Sequence, residues 1–480
     1  MKAEKKTKKK KGEDDKQYLT EKRYIKKNKK TKELYSYYQE NCHKAKNLYN
    51  YANYLIRQTY RICRKLADGE ILDSYEKAMI YRLNCGIRDY NAGKEENKKL
   101  SSITEDNSFV ADSAFLCSYL KGTEPYKALP YAFMSQGVVR DLCASWKSFY
   151  EGIKKWNSGD RKGMTGRPQA PGYLDKEDGH WKLNITADRV TRDEHGRIIL
   201  PRRLPQIRLK ARHDDFCQIR ILAERDVIKV FFSYKQEKEA PVCTGKAMGI
   251  DPGVNNLLTI CMNTEEEPVI ISGRPVKSMN QYYNREMAKL RSSAKTVNGK
   301  NMTKKMERLT ETRNRKILDY MHKAGSRVVA LAAERGVEEI LIGHIDGWKQ
   351  GDFGKKNKPE PSKKPDPDRK RRNQNFVQIP HDKLFDIISY KAALKGIKVR
   401  LVDESYTSYT SYLDMEAPEK ENHNKKRRIT RGMFRSNKGQ LINADVNAAY
   451  QILIKGGYEI RKPRTVESVH VDKSILSNIR

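Results

Sequence analysis

The 480-residue chain is short of several things, and each shortage removes a class of protein. No apolar run reaches the ~18 residues that a membrane span needs, and nothing at its start reads as a signal peptide. None of the eight cysteines sits in a C-x-x-C pair. Cys42, Cys63, Cys85, Cys117, Cys143, Cys217, Cys243 and Cys261 are scattered through apolar stretches. Buried free thiols are expected, not a disulfide framework or a zinc site. Hydrophobic content is only 37%, yet 27 Tyr and 11 Phe supply enough large side chains for a core. The length implies roughly two to four domains.

Acidic residues are also outnumbered. Lys plus Arg is 97 against 61 Asp plus Glu, a formal net charge of +36. A compact chain with that excess repels itself unless a polyanion neutralises it. A solvated basic surface explains one patch but not an excess spread over nearly every segment. Nucleic acid is the expected partner, and a membrane is not.

Residues 1–16 read as a disordered basic arm. From about Thr31 apolar residues recur at three- and four-residue steps, with further helices near 74–92, 108–121 and 134–155. With one N-terminal strand, these make a helical lobe over 17–157. The Gly/Pro cluster GMTGRPQAPGY then stops helices. The runs WKLNI, RIILP, QIRLKA, CQIRI and VIKVFFSY read as short antiparallel strands, a small β-barrel over 158–245. From Lys246 the order is three strands, a long helix (about 303–335), a strand, a loop, a helix (380–395), a strand, an insert and a helix (443–455). That β-β-β-α-β-α-β-α order is the ribonuclease H-like one, a mixed sheet with its first strand central. The whole is a multidomain α+β protein.

Gly249-Ile250-Asp251-Pro252-Gly253 sets a carboxylate at the tip of the first strand, although Asp-Pro-Gly is also an ordinary turn. In Asn443-Ala444-Asp445-Val446-Asn447-Ala448-Ala449, Asp445 shares a helix face with Ala448, Ala449 and Ile452. An Asp there is an N-cap or a metal ligand. Two such acids at the ends of rigid elements suit two-metal phosphodiester hydrolysis by Mg²⁺, and a third acid is expected.

The segments GIDPGVNNLLT, NQNFVQIPHDKL, VDESYTS and LINADVNAAYQIL resemble those of TnpB, the transposon-encoded RNA-guided nuclease, and of small type V CRISPR effectors. The resemblance covers about residues 130–455. It implies an RNA-guided, RuvC-like DNA endonuclease, cytoplasmic and nucleoid-associated in a bacterium. Its partners would be a guide RNA, single or split, and double-stranded target DNA with one strand displaced. Monomer and homodimer both stay open. It implies a recognition lobe (17–157), a wedge domain (158–245), a RuvC-like domain (246–403 and 441–456), a target nucleic-acid-binding insert (404–440) and a tail (457–480). A guided repressor that has lost cutting, and a resolvase or ribonuclease without a guide, are the competing readings.

Two departures from the family pattern matter. The usual Glu after the fourth strand is missing, because Ile340-Leu341-Ile342 runs into Gly343-His344. The paired cysteines of the insert are missing too, so no zinc is expected. His423, the single His there, reads as a surface residue. For the third acid the candidates are Asp346, Asp403 and Glu404. Asp346 opens a loop, and alternation on Val399–Val402 turns Asp403 and Glu404 to different sides. Glu, longer by a methylene, reaches further, which selects Glu404. The metal-holding set is therefore Asp251, Glu404 and Asp445. The expected nucleic-acid contacts are Arg167; Arg308, Arg313, Arg315 and Lys316 of the bridging helix; Trp348 and Lys349 of the basic loop 345–375; and Arg427, Arg428 and Arg431 of the insert.

Overall fold

A computed structural model describes residues 16–104, 112–161, 164, 166–298, 302–344, 378–460 and 470–472. The fold is mixed α+β, and the chain divides into two compact units, Tyr18–Lys235 and Gln236–Arg480 with Met1–Gln17.

In the first unit β1 (Lys16–Lys26) precedes α1 (Lys32–Ala67), α2 (Ser74–Asn91), α3 (Ser113–Leu120), α4 (Glu124–Lys127) and α5 (Ala132–Asn157). The sequence periodicity marked all of these helices but the short α4, because their apolar stripes are buried. Leu48, Ala52 and Ile56 of α1 and Val138, Leu142 and Trp146 of α5 are almost fully enclosed. Asp73 caps α2 with a reciprocal bond to Glu76, satisfying two free N–H groups. The Gly/Pro segment is held against α1. Asn50 exchanges two hydrogen bonds with Leu174. Asn53 donates to the carbonyls of Pro171 and Gly172 while accepting from the Trp146 indole.

Strands β2 (Leu183–Thr186), β3 (Thr191–Arg192), β4 (Ile198–Ile199), β5 (Phe216–Glu224) and β6 (Val227–Glu237) follow. Their pairing corrects the expected barrel. The described strands form an open four-stranded sheet ordered β1-β6-β5-β2 and a separate β3-β4 hairpin. QIRLKA is not a strand. Pro205 precedes it, and the Gln206 side chain takes over the Leu200 backbone, accepting from its N–H and donating to its carbonyl. A side chain that captures backbone groups removes them from a ladder.

The second unit holds β7 (Ala247–Pro252), β8 (Asn256–Met262), β9 (Val269–Ser272), α6 (Arg274–Asn298), α7 (Lys304–Glu334), β10 (Glu339–His344), α8 (His381–Leu394), β11 (Lys398–Asp403), β12 (Arg428–Thr430), β13 (Met433–Arg435), β14 (Leu441–Asn443), α9 (Ala444–Lys455) and β15 (His470–Asp472). A six-stranded sheet is ordered β11-β10-β7-β8-β9-β15, with the first strand of this unit inside it. β10 runs parallel to β7 and to β11, whereas β8 is antiparallel to β7. Alternation splits the side chains between two cores. Met248, Ile250, Ile340 and Ile342 pack with α7 and α8, and Ala247 and Leu341 with α9. α6, β15 and the three-stranded ribbon β12-β13-β14 were not expected.

Helix α9 lies directly on β7. A Cβ at Gly249 would stand 2.5 Å from the Ala449 carbonyl, so only glycine admits the helix at that depth. Ile452 and Leu453 are fully buried, each contributing roughly 1.5–3 kcal/mol. The basic arm, the loop 345–375 and most of the tail lie outside the described residues, apart from Lys16, 457–460 and 470–472.

Candidate active site

Three acidic side chains meet on the α9 face of the six-stranded sheet. Asp251 follows Gly249 by two residues on β7 and so shares its face. Its neighbour in the sheet is β10, which ends Gly343-His344. Glu404 comes just past β11, where its backbone N–H donates to the His344 carbonyl at 3.2 Å. Its carboxylate lies over Gly343, since a Cβ there would be 3.0 Å from Glu404 Oε2 and 2.7 Å from Ile452 Cδ1. The bare glycine leaves the room that Glu404 occupies. Asp445 stands in the first turn of α9. Asn443, not Asp445, is the N-cap, accepting from the N–H groups of Asp445 and Val446. The Asp445 carboxylate instead accepts a 2.8 Å hydrogen bond from Asn256 Nδ2.

Electrostatics tie the three together. Burial pushes the Asp251 carboxyl well above the usual carboxylate range, and the charges of Asp445 and Glu404 push it further, against a smaller lowering by Arg428. Burial, then the charge of Asp403, raises Glu404 to about 7. Glu404 Oε2 is buried and has no hydrogen-bond partner among the described residues. Asp403 behaves differently. Burial raises it, but hydrogen bonds from Lys455 and Ser405 outweigh that and leave it below its ordinary value. Its link to Lys455 is 2.9 Å on an exposed edge. Asp346 lies outside the described residues.

Two groups that the sequence reading did not place here complete the surroundings. Arg428 at the start of β12 reaches within 3.7 Å of Asp445 Oδ1 and is held by the Arg431 carbonyl. Buried His381 of α8 hydrogen-bonds the Gly253 carbonyl at 3.0 Å, fixing the turn that follows Asp251. Asn256, five residues beyond Asp251, was legible only as a polar residue at a strand start.

The acids fit a divalent cation by their chemistry. They are hard oxygen donors on rigid elements, one with an unpartnered buried oxygen. As the side chains stand, however, no group of three Asp, Glu, His or Cys among the described residues is gathered into a ligand cage.

The expected nucleic-acid contacts divide. Arg308, Lys316, Arg431 and the loop residue Arg167 are exposed, and Arg315 is half-buried. Arg313 does not fit the expectation. Its guanidinium donates to Asn280 at 2.6 and 2.8 Å and to the Gln378 carbonyl, and lies over the Tyr283 ring. Arg427 is likewise tied up inside the insert, on Glu416 and Asn437. Trp348 and Lys349 lie outside the described residues.

Residues 231–349 match the OrfB_IS605 family, described as a probable transposase. Residues 381–452 match the TNB domain of the Cas12f1-like family. These matches show the resemblance to TnpB and small type V effectors that the motifs carried. Among solved structures, the chain is similar to a Cas12f1–sgRNA–target DNA complex at 15% identity, covering 90% of this chain and 98% of that one, with a TM-score of 0.31. A CRISPR-Cas12f ternary complex gives 14%, 83%, 81% and 0.31. C2c1 of Alicyclobacillus acidoterrestris with single-guide RNA gives 10%, 90%, 71% and 0.34. The assignment rests on the two sequence families and not on these scores. No curated protein sequence matches the chain. No helix among the described residues is long and apolar enough to cross a membrane.

Proposed function

We propose that this protein is an RNA-guided DNA endonuclease whose second unit is a RuvC-like domain. Asp251, Glu404 and Asp445 are its metal-holding acids. The observation that carries the reading is the meeting of three acids from β7, the end of β11 and α9, two of them raised in pKa, beside an Arg. Carboxylates raised by burial and by neighbouring charge are functional more often than structural. Transposon-type and Cas12f1-type family matches, the first containing Asp251 and the second Glu404 and Asp445, support guide-directed DNA as the substrate.

A bound divalent metal, expected to be Mg²⁺, would polarise the phosphate and lower the pKa of an attacking water. The chain's own residues do the rest. Asp251, Glu404 and Asp445 ionise and supply oxygens, Asn256 fixes the rotamer of Asp445, and Gly343 leaves Glu404 its room. Arg428 balances negative charge when a phosphate joins the acids. The first unit supplies the helical lobe and the wedge region that hold the guide, and β12 and β13 belong to the target-binding insert, with β14 just beyond it. The test is cleavage of matched double-stranded DNA by the chain with its co-purified RNA, with and without Mg²⁺. Cutting that needs both supports the reading, and cutting of unmatched DNA at the same rate contradicts it.

A further inference from the structure

Helix α9 carries Asp445 in its first turn and ends on Lys455. That last residue reaches across to the chain leaving β11. Its ammonium donates to Asp403 Oδ2 at 2.9 Å and to the Ser405 carbonyl at 2.8 Å. Those two residues flank Glu404, so one cation grips the chain on both sides of the acid. The backbone of Glu404 is held as well. Its N–H donates to the His344 carbonyl, and its own carbonyl accepts from the Thr407 N–H at 3.2 Å and the Thr407 hydroxyl at 2.8 Å. The turn so closed contains Tyr406 at φ 70°, a left-handed conformation that a bulky residue rarely adopts. Such a turn persists only where its surroundings hold it. Asp403 is 60% exposed, and an ion pair at such an edge adds little stability. Stability alone therefore leaves the double grip of Lys455 unexplained.

We propose that Lys455 is a positioning residue for Glu404, an inference that rests on the metal-site reading above. Glu404 stands past the end of its strand, where the ladder no longer fixes the chain that follows. An acid that holds a metal has to stay within about 0.5 Å of its place. His344 ties Glu404 to β10, Thr407 closes the turn behind it, and Lys455 ties that turn to α9. One helix then sets Asp445 with its first turn and Glu404 with its last residue, which keeps the two acids at a constant separation. Lys455 acts through Glu404 and through the groups on either side of it. The amide of Asp403→Asn still accepts from Lys455, so the clamp survives that change.

The test compares Lys455→Met, which keeps length without charge, with Lys455→Arg, which keeps the cation and its donors. Lys398→Met, which breaks another exposed ion pair of β11, is the control. Binding of Mn²⁺, which takes the same hard oxygens, is read on the full chain freed of nucleic acid, by loss of the free-ion paramagnetic resonance signal. The binding that disappears in Asp251→Ala defines the site. Lys455→Met should hold that Mn²⁺ at least about tenfold more weakly, and its RNA-loaded form should need correspondingly more Mg²⁺ to cut. Lys455→Arg should recover most of both, and Lys398→Met should match wild type. The melting temperature of Lys455→Met should stay within about 4 °C of wild type. Wild-type Mn²⁺ affinity in Lys455→Met, an equal loss in Lys398→Met, no recovery in Lys455→Arg, or a melting temperature lowered by more than about 10 °C would each overturn the positioning role while leaving the metal site standing. Wild type holding no Mn²⁺ that Asp251→Ala loses would instead overturn the metal site, and the clamp with it.

Discussion

The two large sheets keep their chemistry in different places. In the six-stranded sheet the polar groups that matter are acidic and stand at the ends of elements, and burial raises the pKa of Asp251 and Glu404. In the four-stranded sheet they stand on the open face, are basic, and alternate with rings. On the proposed function, the difference follows from what each would meet. Chemistry on one phosphate wants a few hard oxygens held at fixed points, whereas a length of backbone wants cations repeated along a surface.

The contrast breaks most visibly at the acids. Asp251→Ala and Asp445→Ala should each abolish cutting of matched DNA while guided binding, read by gel shift, stays near wild type. Full-rate cleavage by either variant would remove that acid from the site. Next comes the space beneath Glu404. Gly343→Ala puts a methyl against Glu404 Oε2 and Ile452, and cleavage should fall by about 10- to 100-fold with the fold retained. Wild-type rates would mean that the Glu404 position is unimportant.

A pH series sharpens the same point. An acid raised in the folded state binds its proton more tightly there than in the unfolded chain. Glu404, ordinarily 4.5, stands at about 7. Metal-free stability should therefore decline as pH rises from about 4.5 to about 7, with Asp251 adding to the slope. Melting temperatures in EDTA should show that slope in wild type and a shallower one in Glu404→Gln. Identical slopes would contradict the burial of Glu404. The smallest effect separates two neighbouring arginines. Arg427→Ala should cost about 1.5–3 kcal/mol of stability by freeing Glu416 and Asn437. Arg431→Ala, at an exposed position, should leave stability unchanged and weaken only nucleic-acid binding.

What the sequence made legible was whatever lies close together along the chain. Amphipathic stripes marked most helices, because burial of one face repeats every three or four residues. Asp251 sits in a local turn motif and Asp445 in a helix start, so both stood out, and alternation on one strand separated Glu404 from Asp403. What escaped depends on partners far away in sequence. Arg313 looked free until Asn280 and Gln378 closed on it. QIRLKA alternated like a strand, yet Gln206 captured the backbone that a ladder needed. Arg428 was marked for nucleic acid in general, and only the fold of the insert sets it beside Asp445.

On the proposed function Glu404 replaces the acid missing after β10, and one paired measurement tests that role. Glu404→Gln and Asp403→Asn remove one negative charge each from adjacent residues, one buried over Gly343 and one tied to Lys455 on an exposed edge. With RNA bound and Mg²⁺ saturating, the cleavage rate of matched DNA should fall by orders of magnitude in Glu404→Gln, with DNA binding intact, and stay near wild type in Asp403→Asn. Normal cutting by Glu404→Gln, or its loss in Asp403→Asn instead, would contradict the account.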